Sequence, residues 1–566
     1  MAFRLKRVGR SFQELMAKRN YTDLTKAELV QLLEARDRRD ATRFGLVWEA
    51  NEIERDKALN QDFVALDLDQ SLSCGDAPWK NLIIEGDNFD ALRYLRMTFA
   101  GRVKCIYIDP PYNTGNKDFV YNDRYVDKED LWRHSKWCEF MFQRLTLAKD
   151  LLRQDGSIFV SIDDNEMSPL RLIMNRIFGE GHFGATFIWR KVDSPNDNKV
   201  SVTPDHEYIL CFSMKPAATQ FAQLPAPHIL EAYRGPDEQG RMFRDRLLKK
   251  NGKNSLRRDR PTMFFPVIDP DGGEAFPIHD NGEEANWAMG RESVALHESA
   301  GTLIWKKRER QGKTRWEPYT REFSPDVPAR PYPTIWTDLS TMRQAKAMLR
   351  DIFGTSDLFS TPKPIELIDR ILHMCRCESN DIILDFFAGS GTTAHAVHKL
   401  NKEDGGNRRV ILVSSTEATV DEPDKNLCRD VCATRVRRVI EGYGDNSGLG
   451  GDFAYLRCRR ISPGNITDVD HEQVWIALQL THMPSMTPFD DTQKFMIADF
   501  EGTRLIYVPH LKARGSQALL EAAIDSPSTI VYTWQPELVR QRLVSATNAQ
   551  IEPVPESLAQ RFGLRI

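Results

Sequence analysis

Short apolar runs ending at turn residues recur along this chain. Leu82-Ile-Ile-Glu85, stopped by Gly86-Asp87, reads as a strand, and the run with Phe89, Leu92 and Leu95 behind it reads as a helix. Val103 to Ile108 is a second β-prone run that halts at two prolines and a glycine, which places Asp109 at a strand's carboxyl end. Leu131 to Leu152 carries a long helical pattern closed by Asp155-Gly156. Ser157 to Ile162 is then a strand followed by Asp163, Asp164 and Asn165 as turn or pocket wall, and Glu207 to Phe212 is one more strand. The rhythm fails over 216–335, where proline, glycine and aromatic residues rise. It returns with a helix carrying Ile365, Ile368, Ile371 and Leu372, then strands Asp381–Asp385 and Arg409–Val413. Strands over 495–500, 503–508 and 528–534 alternate with helical runs near 516–523 and 536–545. Residues 1–60 read as helical, with Thr25-Lys-Ala-Glu28 in capping-box form. Strand and helix in alternation predict an α/β fold with a mostly parallel sheet.

Ligands of open α/β sheets bind outside the carboxyl ends of the strands, so the turn after Ile108 is the first place to look for chemistry. In Asp109-Pro110-Pro111-Tyr112 a carboxylate and the Pro110 carbonyl can each accept a hydrogen bond from an amino group, with the prolines holding their spacing. Tyr112 offers a face on which a planar base can stack, worth roughly 1–3 kcal/mol. A plain Pro-Pro turn with a solvated Asp and a packed Tyr fits the same residues. The second stretch is Asp385-Phe386-Phe387-Ala388-Gly389-Ser390-Gly391-Thr392-Thr393-Ala394, a strand end, a Gly-rich turn and a helix start. Its spacing also satisfies the dinucleotide fingerprint, which keeps an NAD-dependent Rossmann enzyme open as an alternative.

Together, Asp109-Pro-Pro-Tyr112 and Asp385-Phe-Phe-Ala-Gly-Ser-Gly391 resemble motifs IV and I of the S-adenosylmethionine-dependent amino-methyltransferases of DNA. The catalytic motif precedes the cofactor loop, which is the order of the β class. The longer match, Ile83-Ile-Glu-Gly-Asp87-Asn through Asp109-Pro-Pro-Tyr-Asn-Thr-Gly115, resembles the modification subunits of type III restriction systems, and the likeness covers roughly residues 40–445. The resemblance implies a Rossmann-like methyltransferase sheet, mixed but mostly parallel, with an inserted target-recognition domain and a small C-terminal α/β module. It implies S-adenosylmethionine as cofactor and methyl transfer to adenine N6 in duplex DNA by base flipping. N4 of cytosine is the alternative target, since the same acceptors could hold either amine. Catalytic roles fall to Asp109, Pro110, Pro111 and Tyr112. Cofactor contacts fall to Asp87, to Lys363 and Pro364 in the motif X position, to Asp385, Phe387, Ala388, Gly389, Gly391 and Thr392, and to Glu417 past the next strand.

Composition narrows the classes. With 566 residues, 41% hydrophobic and 28% charged, the chain predicts two to four globular domains. No apolar run reaches spanning length, and the start Met-Ala-Phe-Arg-Leu-Lys-Arg lacks a signal peptide's apolar core, so no membrane association and a cytoplasmic location are expected. Nine scattered cysteines fit no zinc spacing; they read as buried thiols, and no metal is expected. A net charge of −4 does not advertise a polyanion partner, yet local charge decides. Arg246, Lys249, Lys250, Lys253, Arg257 and Arg258 form one basic cluster, and Lys306, Lys307, Arg308 and Lys313, flanked by Trp305 and Trp316, form another. Basic residues interleaved with aromatics suit a phosphate-tracking surface, and a solvated face is the plainer alternative.

The expected division is a helical region over 1–60, a methyltransferase core over 61–215 and 336–450, a DNA-binding target-recognition insert over 216–335, and a C-terminal module over 451–566 for partner docking or self-association. Double-stranded DNA is the expected partner, with a homodimer and a helicase or nuclease restriction subunit, or another phage-defence subunit, as further partners. Gly312-Lys313-Thr314 fails the phosphate-loop pattern because its first glycine would fall on Lys307.

Overall fold

The computed structural model describes residues 63–115, 120–121, 124–125, 133–193, 202–215, 221–310, 312–419, 422–461, 469–510, 528–542, 549–555 and 558. The helical readings over 1–60 and 516–523 lie outside the described residues. Val64–Arg459 and Asp470–Leu558 form one compact unit. A second unit, Met1–Phe63 with Arg460–Val469 and Ala559–Ile566, contributes only Phe63, Arg460, Ile461 and Val469 to the described residues.

A ten-stranded sheet carries the main unit. Its strands in chain order are β1 (Phe63–Cys74), β2 (Leu82–Glu85), β3 (Val103–Ile108), β4 (Leu152–Ile162), β5 (Phe183–Arg190) and β6 (His206–Ser213). After the insert, which contains β7 (Met242–Leu247), β8 (Leu303–Arg310) and β9 (Lys313–Phe323), come β10 (Ile335–Trp336), β11 (Ile382–Asp385), β12 (Arg409–Ser414) and β13 (Phe453–Ile461). The spatial order is β1-β13-β2-β12-β11-β3-β4-β6-β5-β10. From β13 to β4 every neighbouring pair is parallel. Strand β6 runs antiparallel between β4 and β5.

Strands β3 and β11 are buried at every residue, the near-continuous apolar signature of strands covered on both faces. Helices α1 (Asn88–Phe99), α2 (Arg133–Leu151), α3 (Ile365–Met374), α4 (Thr392–Asp404) and α5 (Thr434–Glu441) accompany them. Asp87 caps α1 by accepting from the Phe89 and Asp90 amides. Strand β4 starts at Leu152 rather than at Ser157. Leu152 pairs with Val103 and Ser157 with Cys105, so Arg153–Gly156 bulges out between them, and the Lys104 ammonium holds Asp155 at 2.9 Å.

Strand β13 lies beyond the division expected at residue 450, yet it joins the sheet of the preceding segment. Ala454 and Tyr455 lie opposite Leu82 and Ile83, so this segment belongs to the main sheet. Beyond it, helix α6 (His471–His482) and strands Met496–Phe500, Thr503–Val508, Ser528–Thr533 and Ala549–Pro553 form the C-terminal α/β layer, one antiparallel pairing followed by two parallel ones. Arg102 closes the end of α6 by donating to the carbonyls of Leu480 and Thr481. The insert is mostly antiparallel, with the order Gly235–Pro236, β7, β9, β8 and a small core of Leu248, Phe265, Val267, Trp287 and Val294. Eight of the nine cysteines are buried. No helix among the described residues is long and apolar enough to cross a membrane.

Candidate active site

The two motif-bearing turns leave adjacent parallel strands at the same edge of the sheet. Leu384 of β11 lies opposite Ile106 of β3, so Asp385 and Asp109 emerge side by side. Asp109 is gripped at both oxygens. The Tyr112 hydroxyl donates to Oδ1 at 2.8 Å and the Lys363 ammonium to Oδ2 at 2.6 Å. Glu207, from β6, shares both donors, with its Oε2 at 3.0 Å from the Tyr112 hydroxyl and 3.3 Å from Lys363 Nζ. Lys191 approaches the other Glu207 oxygen at 3.4 Å. Burial raises the Asp109 pKa, opposed by the Lys363 ammonium and helped by the negative charge of Glu207. Burial alone would lower Lys363, yet the two carboxylates hold it above its ordinary value. Burial, Asp109 and Glu207 together raise Tyr112 well above the usual phenol range.

The catalytic turn is fastened from behind. Trp137 Nε1 donates to the Pro111 carbonyl at 2.7 Å, and Asn113 is fully buried with φ 58°. Asn113 Nδ2 donates to Glu166 Oε1 at 2.5 Å, and His134 Nδ1 meets the same oxygen at 2.6 Å. Asn tolerates the left-handed region, so a β-branched residue at 113 would strain the turn.

Asp385 faces inward instead. Its Oδ1 accepts from the Phe387 amide at 3.0 Å and its Oδ2 from the Thr393 hydroxyl at 2.5 Å, which sets the shape of the Gly-rich turn. Burial pushes its pKa up to about 7 against those two hydrogen bonds. Gly389 (φ 50°) and Gly391 (φ 77°) need the left-handed region. A Cβ on Gly389 would come within 2.9 Å of the Phe359 ring, and one on Gly391 within 3.2 Å of the Cys432 carbonyl. Arg435, buried under the turn from α5, donates to Ser390 Oγ at 3.0 Å and Thr392 Oγ1 at 2.8 Å. Burial lowers its pKa to about 10. A turn with two left-handed glycines at a helix N-terminus, beside the strand end that carries Asp109, suits a nucleotide cofactor carrying a positive charge near the reacting atom.

Residues 103–420, more than half of the chain, match the model of the DNA methylase family (N6_N4_Mtase). The chain belongs to this family. Over 425 residues this chain is 31% identical to the type III restriction-modification enzyme StyLTI Mod subunit of Salmonella typhimurium, an alignment covering 70% of this chain and 63% of the relative. It is 33% identical over 383 residues to the type II methyltransferase M.KpnI of Klebsiella pneumoniae, covering 65% and 88%. It is 31% identical over 388 residues to the type III EcoPI Mod subunit of Escherichia phage P1, covering 60% and 58%. The chain therefore spans less than two thirds of the length of either Mod relative.

The other residues selected from the sequence fall into separate groups. Pro364 precedes α3 and is buried, and Thr392 opens α4, its hydroxyl 3.4 Å from the Lys363 carbonyl. Phe387 packs on Phe140 with ring centroids 5.9 Å apart, and Ala388 is buried with its amide on the Val413 carbonyl. Besides capping α1, Asp87 takes Arg144 Nη2 at 3.0 Å, and Arg144 also holds Asn88, whose amide donates to the Phe386 carbonyl. Asp87 is thus tied to the cofactor turn through Arg144 and Asn88. Glu417, three residues past β12, adopts φ 54° and pairs with Lys425 at 3.1 Å.

The basic clusters are less uniform than the sequence suggests. Lys249 is 9% exposed and spends its ammonium on the Ile278 carbonyl at 2.9 Å and on Asp280, so it is withdrawn from the surface reading. Acids from distant parts of the insert pair with Arg246 (Glu322, 3.3 Å), Arg257 (Glu284, 2.9 Å) and Lys307 (Asp271, 3.6 Å), and Asp245 from β7 pairs with Lys306 at 2.8 Å. Lys253, Arg258 and Arg308 are exposed, and Lys250 is half-buried. Lys313 begins β9, with its side chain outside the described ones. Sequence reasoning missed Glu207, Lys191, Glu166 and Arg435. Glu207 stands at the start of an apolar strand, Lys191 and Glu166 lie just outside regular elements and Arg435 sits in a helix, so no local pattern in the sequence sets them apart.

Proposed function

We propose that this protein transfers the methyl group of S-adenosylmethionine to N6 of adenine in duplex DNA, as the modification and recognition subunit of a restriction or other phage-defence system. The observation that carries the reading is the side-by-side emergence of Asp109 and the Gly-rich turn from β3 and β11. The type III names of the two Mod relatives support the restriction context. S-adenosylmethionine supplies an electrophilic methyl on a sulfonium.

The chain's own residues do the rest. Asp385, Arg435 and the two left-handed glycines hold the turn that receives the nucleotide, and Phe359 and Lys363 border it. An aromatic amine is a weak nucleophile because its lone pair is shared with the ring. Asp109 and the Pro110 carbonyl accept its two N–H groups, which favours the pyramidal amine and stabilises the charge developing on nitrogen. Alignment of amine and methyl supplies several kcal/mol more. Stacking on Tyr112 offsets part of the few kcal/mol that extruding the base costs. Lys253, Arg258 and Arg308 are among the exposed cations through which the insert tracks phosphates. A homodimer and a helicase or nuclease subunit remain the proposed assembly partners, with the C-terminal layer as their docking module.

Single-molecule sequencing of DNA from cells expressing this chain tests the reading. N6-methyladenine at one short motif, lost with Asp109→Ala, is expected. N4-methylcytosine at the motif would move the target to cytosine, and unmodified DNA would overturn the proposal.

A further inference from the structure

Asp109 meets a difficulty if it is to receive an amine. Its Oδ2 holds an ammonium at 2.6 Å and its Oδ1 a hydroxyl at 2.8 Å. An ammonium on the acceptor weakens it towards a neutral N–H donor, and a cation 2.6 Å from that acceptor opposes the positive charge that must grow on the amine. Simply freeing Lys363 and Tyr112 is no remedy, because an unpaired ammonium that is 4% exposed carries a heavy desolvation cost.

Glu207 supplies the missing partner. It is 2% exposed on a strand that otherwise contributes Ile209, Leu210, Cys211 and Phe212 to the core, and a carboxylate buried there is costly unless it is paired. Its Oε1 is held by Lys191, while its Oε2 lies within reach of both donors that now grip Asp109. The Tyr112 hydroxyl has one proton and two carboxylates within 3.0 Å, so it can serve only one at a time. Lys363 sits between the same two groups, closer to Asp109 by 0.7 Å (3.3 Å against 2.6 Å).

We propose that Glu207 is a positioning residue that takes Lys363 and Tyr112 over from Asp109 when the target amine arrives, leaving Asp109 free to accept it. The exchange moves two donors by about a rotamer's adjustment and leaves neither unpaired. Lys191 keeps Glu207 in place throughout. This inference rests on the reading of Asp109 as the amine's acceptor.

The test measures single-turnover methyl transfer, the KM for DNA and cofactor affinity in the full chain. Glu207→Gln keeps the shape and removes the charge. It is expected to slow the transfer step by 10-fold or more while the KM and cofactor Kd stay within twofold and the melting temperature holds. In a Tyr112→Phe or Lys363→Met background the further loss from Glu207→Gln should shrink markedly, because the group it receives is gone. Transfer within twofold of the parent, a loss confined to KM or cofactor affinity, or full additivity in both backgrounds would each overturn the proposal. Should Glu207→Gln fail to fold, Glu207→Asp is used, with partial activity expected and a rate as low as that of Asp109→Ala counting against the exchange. Asp109→Asn separates the two ideas: if it still transfers methyl groups, the reading of Asp109 as the amine's acceptor falls, whereas an inactive Asp109→Asn beside an unaffected Glu207→Gln sinks the exchange alone.

Discussion

Asp109 and Asp385 leave neighbouring strands at the same edge, yet they have opposite surroundings. Asp385 is 3% exposed and bonded to a hydroxyl and an amide of its own turn. Asp109 is 21% exposed at its side chain and bonded only to side chains that have a second carboxylate to go to. One carboxyl is built into the scaffold, and the other is held provisionally. Position on a sheet edge therefore does not define a role; the partners' alternatives do.

The sharpest way to break the comparison is Asp109→Ala. Methyl transfer should fall by roughly 10²–10³-fold or more, the scale of losing a preorganised transition-state contact, with cofactor binding by calorimetry nearly unchanged. Retained activity would erase the difference between the two aspartates. Next in size, Gly391→Asp places a charged side chain at φ 77° against the Cys432 carbonyl, and cofactor affinity should drop at least tenfold. Unchanged affinity would remove that turn from the cofactor site.

Asp385→Asn should be milder, costing less than tenfold in transfer, because this carboxyl already sits near half-protonation with its pKa at about 7. It also yields a pH signature. A carboxyl raised in the folded state adds stability that is fully present below its ordinary value of 3.8 and fades as pH climbs through about 7. Melting curves from pH 4 to 8 should show the parent losing this contribution and Asp385→Asn not. Identical pH slopes would contradict the buried assignment. The smallest effects belong to the insert: Lys253→Ala or Arg258→Ala should each lower the salt dependence of DNA binding by about one phosphate contact, while Lys249→Ala should lower the melting temperature and leave the salt slope alone.

What the sequence disclosed follows from how local each feature is. Both turns are contiguous, so their residues could be read in place, and the strands Thr503–Val508 and Ser528–Thr533 announced themselves by apolar runs between turns. Glu207 could not be read that way. It looked like the polar start of a strand, and only the sheet order, with β6 beyond β4, brings it to Asp109 and Lys363. The basic clusters failed for the same reason in reverse. Counting charge along 241–260 finds few acids, whereas antiparallel pairing of β7 with β9 sets Glu322 opposite Arg244 and within 3.3 Å of Arg246. Lys249 was indistinguishable from its neighbours until the fold turned it inward.

The ion pair between Lys363 and Asp109 joins positions 254 residues apart, and it has a cost in time. At a synthesis rate of about 5–20 residues per second, the ribosome needs roughly 13–50 s to deliver Lys363 after Asp109 has been made. Through that interval β3 is without its neighbour β11 and exposes an apolar edge. Until residue 363 has been made, the Asp109 carboxylate therefore lacks the ammonium that holds it and β3 lacks the strand beside it.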